Sequence, residues 1–157
     1  MEVSLVIFDF YRTLYNPETG KENEGASEIL SILNCSKIKT CIVSSKELGN
    51  ENREKLIEQQ PFVKFINQVY FIDVNNKEKK YQQAIEDFNC SQSTTLVVGD
   101  YLKYDIIPAK EIGCRSIWFR NGKFANTIPE NFILPNYTIT DLKDVIDIVD
   151  FCNRVFL

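Results

Sequence analysis

Histidine is missing from this 157-residue chain. Its absence removes Ser–His and Cys–His nucleophilic machinery and the usual histidine-containing zinc sites. The five cysteines, Cys35, Cys41, Cys90, Cys114 and Cys152, are scattered and form no Cys-x-x-Cys pair. An odd count without paired spacing reads as small core side chains in a reducing compartment. Long apolar runs are lacking as well. Val3–Phe8 ends at Asp9, too brief for a signal peptide or a membrane span, so a cytoplasmic protein is expected. Positive charge is not in excess either. Lys and Arg number 18 against 22 Asp and Glu, a net charge of −4, which gives no electrostatic footprint for nucleic acid.

What is present fits an ordinary globular chain: 44% hydrophobic and 25% charged residues, with a length suited to one domain spanning residues 1–157. Short apolar runs alternate with helical spacing, the pattern of a Rossmann-like, doubly wound parallel α/β sheet of five to six strands. Strands are expected at Val3–Phe8, Cys41–Val43, Val69–Ile72, Thr95–Val98 and Ser116–Phe119, with Tyr137–Ile139 as a sixth. Residues 11–24 read as loop or hairpin. Apolar Ala26, Ile29, Leu30 and Leu33 predict a helix, and a polar helix with Leu48, Leu56 and Ile57 inward is expected to stop at Pro61. Further helices are expected over 77–88, over 105–112 with Gly113 as C-cap, and over 141–149 with Thr140 as N-cap.

Ligands of such sheets lie beyond the carboxyl ends of the strands. Four predicted strands run out into polar residues: Asp9, Ser44-Ser45, Asn75-Asn76-Lys77 after a short turn, and Asp100. In Val-Ile-Phe-Asp-Phe-Tyr-Arg-Thr-Leu, residues 6 to 14, Asp9 stands at the tip of a buried strand, suited to a nucleophile or a metal ligand, with Thr13 in reach to hold it. Alone, this segment reads as a strand and an ordinary turn. In Val-Val-Gly-Asp-Tyr-Leu-Lys-Tyr-Asp-Ile, residues 97 to 106, Asp100 ends a second strand. Gly99 is expected to allow a sharp turn that swings Asp105 back beside Asp100, although Asp105 also reads as a simple helix cap. Asp9, Asp100 and Asp105 make an oxygen-rich set suited to Mg²⁺.

These segments, in this order and spacing, resemble the four motifs of the haloacid dehalogenase-like hydrolase superfamily, over nearly the whole chain. The resemblance implies that Asp9 is the nucleophile, forming an aspartyl phosphate, and that Thr13 closes its motif. It implies that Ser44 donates hydrogen bonds to the phosphoryl group, aided by backbone N–H groups from Ser45 onward at a helix start. Asp100 and Asp105 match the acidic pair that anchors Mg²⁺. Lys77 matches the motif lysine, with Lys79 and Lys80 as alternatives.

The match breaks at position 11, where phosphatases of the family carry a second aspartate as general acid and base. Here it is Tyr11, whose backbone carbonyl still suits magnesium. Its phenol, with a reference pKa of about 10, makes a poor base near neutrality. Tyrosine there resembles the dehalogenase branch, but that branch lacks the acidic pair supplied here by Asp100 and Asp105. Arg12 replaces the usual glycine, either to grip a second anionic group of the substrate or to face solvent. The intervals before Ser44 and before Lys77 leave no space for a cap domain. An open, capless crevice suits a phosphorylated substrate that is large or macromolecular, with Tyr15, Tyr101 and Tyr104 near the mouth. The apolar tail of Phe151, Val155, Phe156 and Leu157 is expected to be buried on the core or on a neighbour. Two functions follow: a Mg²⁺-dependent phosphohydrolase or phosphotransferase weak on alkyl phosphates, or a catalytically silent regulatory or protein-binding domain. A receiver-like phosphoacceptor domain fits badly, because its acidic pair follows the first strand.

Overall fold

A six-stranded parallel sheet forms the centre of the computed structural model, which describes residues 2–48, 51–72, 76–129 and 133–155. Its strands are β1 (Leu5–Phe8), β2 (Lys39–Ser45), β3 (Gln68–Ile72), β4 (Thr95–Gly99), β5 (Arg115–Phe119) and β6 (Tyr137–Ile139). They lie in the order β6-β5-β4-β1-β2-β3. The chain starts in the middle, moves outward through β2 and β3, then returns to the other flank of β1 with β4. This reversal puts a topological switch between β1 and β4, which pair from Leu5↔Thr95 to Phe8↔Val98. A crevice beyond the strand ends belongs at that point.

Among the described residues, five α-helices cover the sheet: α1 (Ala26–Cys35), α2 (Arg53–Glu58), α3 (Glu78–Asp87), α4 (Ile107–Glu111) and α5 (Asp144–Arg154). Strand alternation decides which side chains meet which helices. Val6, Phe8, Ile42, Leu96 and Val98 pack with Ile29, Leu30 and Leu33 of α1 and Val145 and Val149 of α5. Leu5, Ile7, Val43 and Val97 pack on the other face with Tyr81, Ala84 and Ile85 of α3 and Ala109 of α4. With both faces covered, the central strands are apolar throughout, which is why they read as unbroken runs. Cys41, Cys114 and Cys152 are buried, and burial pushes the Cys114 thiol up to about 12; Cys35, by contrast, is exposed.

All six expected strands are present, and the loop over residues 11–24 carries a small hairpin pairing Tyr15–Asn16 with Lys21–Glu22. Three expectations need correcting. The polar helix after Ser45 is replaced by a hairpin, Glu47–Leu48 against Glu51–Asn52, and only then by the short α2. Asn52 sets that start, because its side-chain oxygen accepts the Lys55 N–H at 3.2 Å. Asp105 lies in a π-turn, Leu102–Ile106, ahead of α4. Thr140 does not cap the last helix: Asp141 accepts the Lys143 N–H at 2.9 Å in an intervening turn, and α5 begins at Asp144. Of the tail, Phe151 and Val155 are exposed and so are not buried on the chain's own core; Phe156 and Leu157, like Asn75, lie outside the described residues. No helix among the described residues is long and apolar enough to cross a membrane.

Gly113, just past α4, has φ 84°, while Cys114 N–H closes back on the Ala109 carbonyl at 2.9 Å. A Cβ there meets only Gln92, at 4.0 Å, so the cost of a side chain is purely conformational. Gly113→Ala is expected to lose about 1 kcal/mol, read as a lower urea midpoint with an unchanged m-value.

Candidate active site

Asp9 leaves the tip of β1 with its N–H held by the Val98 carbonyl at 2.9 Å, so its backbone is fixed to the neighbouring strand. Its carboxylate is gripped on both oxygens. Lys77 Nζ donates to Oδ1 at 2.6 Å, and Thr13 Oγ lies 3.3 Å from Oδ2. The same Lys77 amine donates to Asp105 Oδ1 at 2.6 Å, and the same Thr13 hydroxyl lies 3.4 Å from Asp100 Oδ1. Residues from three separate stretches of chain therefore converge at the switch point. Oxygens of Asp9, Asp100 and Asp105 lie within 4.8 Å of one another, and all three residues are buried.

Neighbouring groups hold these carboxylates in place. Asp105 Oδ2 accepts the Tyr101 N–H at 3.0 Å, and its own N–H returns to the Tyr101 carbonyl at 2.9 Å. Trp118 Nε1 donates to the Asp100 carbonyl at 2.9 Å. Asn23 Nδ2 donates to the Thr13 carbonyl at 2.8 Å and so steadies the loop after β1. Gly99 is needed for space and not for a turn: its φ is not positive, and a Cβ there would lie 2.4 Å from Asp105 Cβ.

Three carboxylates and one ammonium make a formal charge of −2 in a buried site. Burial, with the nearby Asp9 and Asp105 carboxylates, pushes the Asp100 carboxyl up to about 9. Burial and Asp9 raise Asp105 to about 6, against the opposing pull of Lys77. Burial alone would lower Lys77, but Asp105 and Asp9 outweigh it and hold the amine well above its ordinary value. Asp100 Oδ2 is buried and has no hydrogen-bond partner among the described residues. An orphaned carboxylate oxygen beside two further carboxylates is the donor set a divalent cation requires. The residues fit Mg²⁺.

A cavity of about 390 Å³ opens over this cluster. Asp9, Lys77, Asp100 and Asp105 line it, together with Tyr11, Arg12 and Ser45. Ser44 does not; it is fully buried, with its hydroxyl donating to the Ser45 carbonyl at 3.2 Å. No helix starts at Ser45, and the next N–H, of Lys46, is taken by Ile72 at 3.3 Å. Among the three lysine candidates Lys77 is the buried one, whereas Lys79 is exposed and Lys80 bonds Gln83 at 2.8 Å. Arg12 adopts φ 69°, a conformation that favours the glycine it replaces, and its guanidinium pairs with Glu18. Tyr101 and Tyr104 line the cavity, where Tyr101 stacks on Phe124 at 3.9 Å. Tyr15 does not reach it; it is buried, stacked on Phe10 at 5.2 Å.

Sequence reasoning missed Arg53. It opens α2, is 3% exposed, lines the cavity, and lays its guanidinium 3.8 Å above the centre of the Tyr11 ring. The one available signal was an arginine directly after a capping asparagine.

The model of the family described as haloacid dehalogenase-like hydrolase matches residues 6–119. Glyceraldehyde 3-phosphate phosphatase of Pyrococcus furiosus is 32% identical over 72 residues, 46% of this chain. That match spans 30% of the relative's length. Among solved structures, the HAD hydrolase YfnB of Bacillus subtilis, bound to magnesium, superposes with a TM-score of 0.78 at 12% identity. The superposition covers 96% of this chain and 100% of that one. The 2-haloacid dehalogenase of Pseudomonas syringae gives 0.77 at 12% identity, over 95% and 99% of the two chains. At these identities the likeness shows the fold.

Two outcomes follow from the site itself. Gly99→Ala is expected to expel the Asp105 carboxylate and abolish stabilisation by Mg²⁺ in a thermal melt. The second concerns pH. Free aspartate titrates near 3.8 and folded, metal-free Asp100 near 9, so the folded state binds the extra proton between those values. Its contribution to stability therefore falls as pH rises through that window. The metal-free melting temperature is expected to drop from pH 5 to pH 8, Asp100→Asn to flatten that slope, and Mg²⁺ to raise the melting temperature more at pH 8.

Proposed function

The chain belongs to the haloacid dehalogenase-like hydrolase family, and from that premise we propose that it is a Mg²⁺-dependent phosphohydrolase or phosphotransferase working through Asp9. The observation that carries the reading is the grip on Asp9, with Lys77 on one oxygen and Thr13 beside the other, at the mouth of β1. A rigid carboxylate facing a cavity is a nucleophile already oriented for attack. One of its oxygens bonds to phosphorus as the leaving oxygen departs, giving an aspartyl phosphate that water then cleaves. Lys77 offsets charge on the phosphoryl oxygens. Ser45, on the cavity wall, is the hydroxyl in place to donate to them, with Ser44 beneath it.

Asp9, Asp100 and Asp105, with the Tyr11 carbonyl, would hold Mg²⁺, which when bound neutralises phosphoryl charge. The magnesium-bound fold relative and the orphaned Asp100 oxygen support this assignment. The phosphatase relative supports phosphorylated small molecules as substrates. In this reading the crevice has no cap, because a small hairpin and α1 occupy the interval between β1 and β2, and the substrate itself excludes water.

Tyr11 decides which phosphates react. Its ring is packed between Arg53 and Tyr15, whose ring centre lies 5.9 Å away, and it supplies no carboxylate to protonate a leaving group. Acyl and aryl phosphates, whose leaving groups need no proton, are the expected substrates. The same packing of Tyr11 favours a second reading, a silent domain that binds phosphate and Mg²⁺ without turnover.

Acetyl phosphate and an aryl phosphate are expected to be hydrolysed with Mg²⁺, not with chelator, and not by Asp9→Asn. Tyr11→Asp is expected to raise alkyl-phosphate hydrolysis, with a ceiling of roughly 10²–10⁴-fold. Binding of Mg²⁺ and phosphate with no turnover of any ester would favour the silent reading.

A further inference from the structure

We propose that Tyr101, Tyr104 and Phe124 form an aromatic wall that receives a flat ring borne on the ester oxygen, so that the substrates selected are phenol-type aryl phosphates. The inference rests on the Asp9-centred reading above, which fixes where the phosphoryl group lies. Attacking and leaving oxygens stand roughly in line, so the leaving group points away from Asp9 into the cavity. Tyr101 directly follows Asp100 and Tyr104 directly precedes Asp105, so the wall begins one residue from these acids. Both rings line the same cavity as Asp9, and Phe124 joins them from the turn Gly122–Phe124 beyond β5.

The three rings are set out for a ligand and not for the core. Each is half-buried, and none belongs to the three buried clusters found among the described residues. Packing of the acidic loop is served instead by Leu102 and Ile106, which cluster with Trp118. The rings are also positioned beforehand. Tyr101 is tied to Asp105 at both its N–H and its carbonyl, at 3.0 and 2.9 Å. Arg120 Nε donates to the Ala125 carbonyl at 2.6 Å, and the Ala125 N–H donates to the Gly122 carbonyl at 3.1 Å, which holds the Phe124 turn. Phe124 lies parallel to Tyr101 with ring centres 3.9 Å apart, and Tyr104 stands at 86° to Tyr101, 4.8 Å away. A flat ligand parallel to Tyr101 is therefore perpendicular to Tyr104, and aromatic rings favour both arrangements. The cavity volume of about 390 Å³ suits a small molecule. Position 11 carries no carboxylate to protonate a leaving group, which independently selects esters of acidic alcohols such as phenols.

The test uses phosphonates, which have no leaving group, so that ring recognition is read apart from reactivity. Binding of benzylphosphonate, cyclohexylmethylphosphonate and ethylphosphonate to the Mg²⁺-loaded protein is measured by calorimetry. Hydrolysis of phenyl phosphate and acetyl phosphate is measured in parallel. Wild type is expected to bind benzylphosphonate about 10–100-fold more tightly than ethylphosphonate, through burial of the ring and its aromatic contacts. The cyclohexyl compound, apolar but not flat, is expected to fall between them. Tyr101→Ala and Phe124→Leu are expected to collapse the benzyl-to-ethyl ratio, and Tyr101→Phe to retain it. The same two variants are expected to raise KM for phenyl phosphate more than for acetyl phosphate. A merely structural role would weaken all ligands in proportion and leave the ratios intact, which overturns the proposal. So does a wild type that binds the ethyl or the cyclohexyl compound as tightly as the benzyl one. Ring discrimination without any turnover supports the wall while sinking the catalytic reading, and turnover without ring discrimination does the reverse. Failure of all three phosphonates to bind overturns the wall, and the hydrolysis assays then judge the catalytic reading alone.

Discussion

One buried ammonium holds the site together. Lys77 bonds Asp9 and Asp105 at the same distance, 2.6 Å, and so ties the tip of β1 to the loop after β4. Removing an ion from water costs several kcal/mol, and a lone buried carboxylate would protonate instead. Shared between two carboxylates, the amine keeps both charged groups in place, and Asp100 is left as the carboxyl without a cationic partner, which burial pushes toward its protonated form. The remaining deficit is what makes a divalent cation the natural completion. Thr13 and the Tyr101 N–H then fix the directions in which the oxygens point. Net stability gained from such a cluster is small; what it gains is geometry.

The fold supports this arrangement through its chain reversal. Because β1 is central and β4 pairs with it from the opposite flank, residues separated by most of the sequence end side by side. Steric economy adds a second constraint at Gly99, where the missing side chain is the space that Asp105 occupies. The family model ends at residue 119, so β6 and α5 lie beyond what it matches, although α5 supplies Val145 and Val149 to one face of the core.

Much of this was legible in the sequence because burial on both faces writes strands as plain apolar runs. Asp9, Thr13, Asp100, Asp105 and Lys77 were marked by standing just past such runs, and the structure brings them together. What failed to show was whatever depended on tertiary packing. The late start of α2 is set by a local asparagine cap that outweighs the weak helical spacing of Leu48, Leu56 and Ile57. Tyr15 looked like a rim residue because a tyrosine in a polar loop gives no sign that Phe10 waits beneath it. Arg53 was invisible because its burial depends on the Tyr11 ring, forty residues earlier in the chain. The purpose of Gly99 was misread for a similar reason: only the packed loop reveals that space, and not backbone torsion, is at stake.

The chain carries a single tryptophan, and it is the residue whose indole N–H holds the Asp100 carbonyl. Its emission therefore comes from an indole bonded to the backbone of the acidic loop and clustered with Leu102 and Ile106. Any movement of that loop alters the polarity around one fluorophore with no second indole to dilute the signal. The protein thus contains its own optical gauge of the acidic loop, readable without a label.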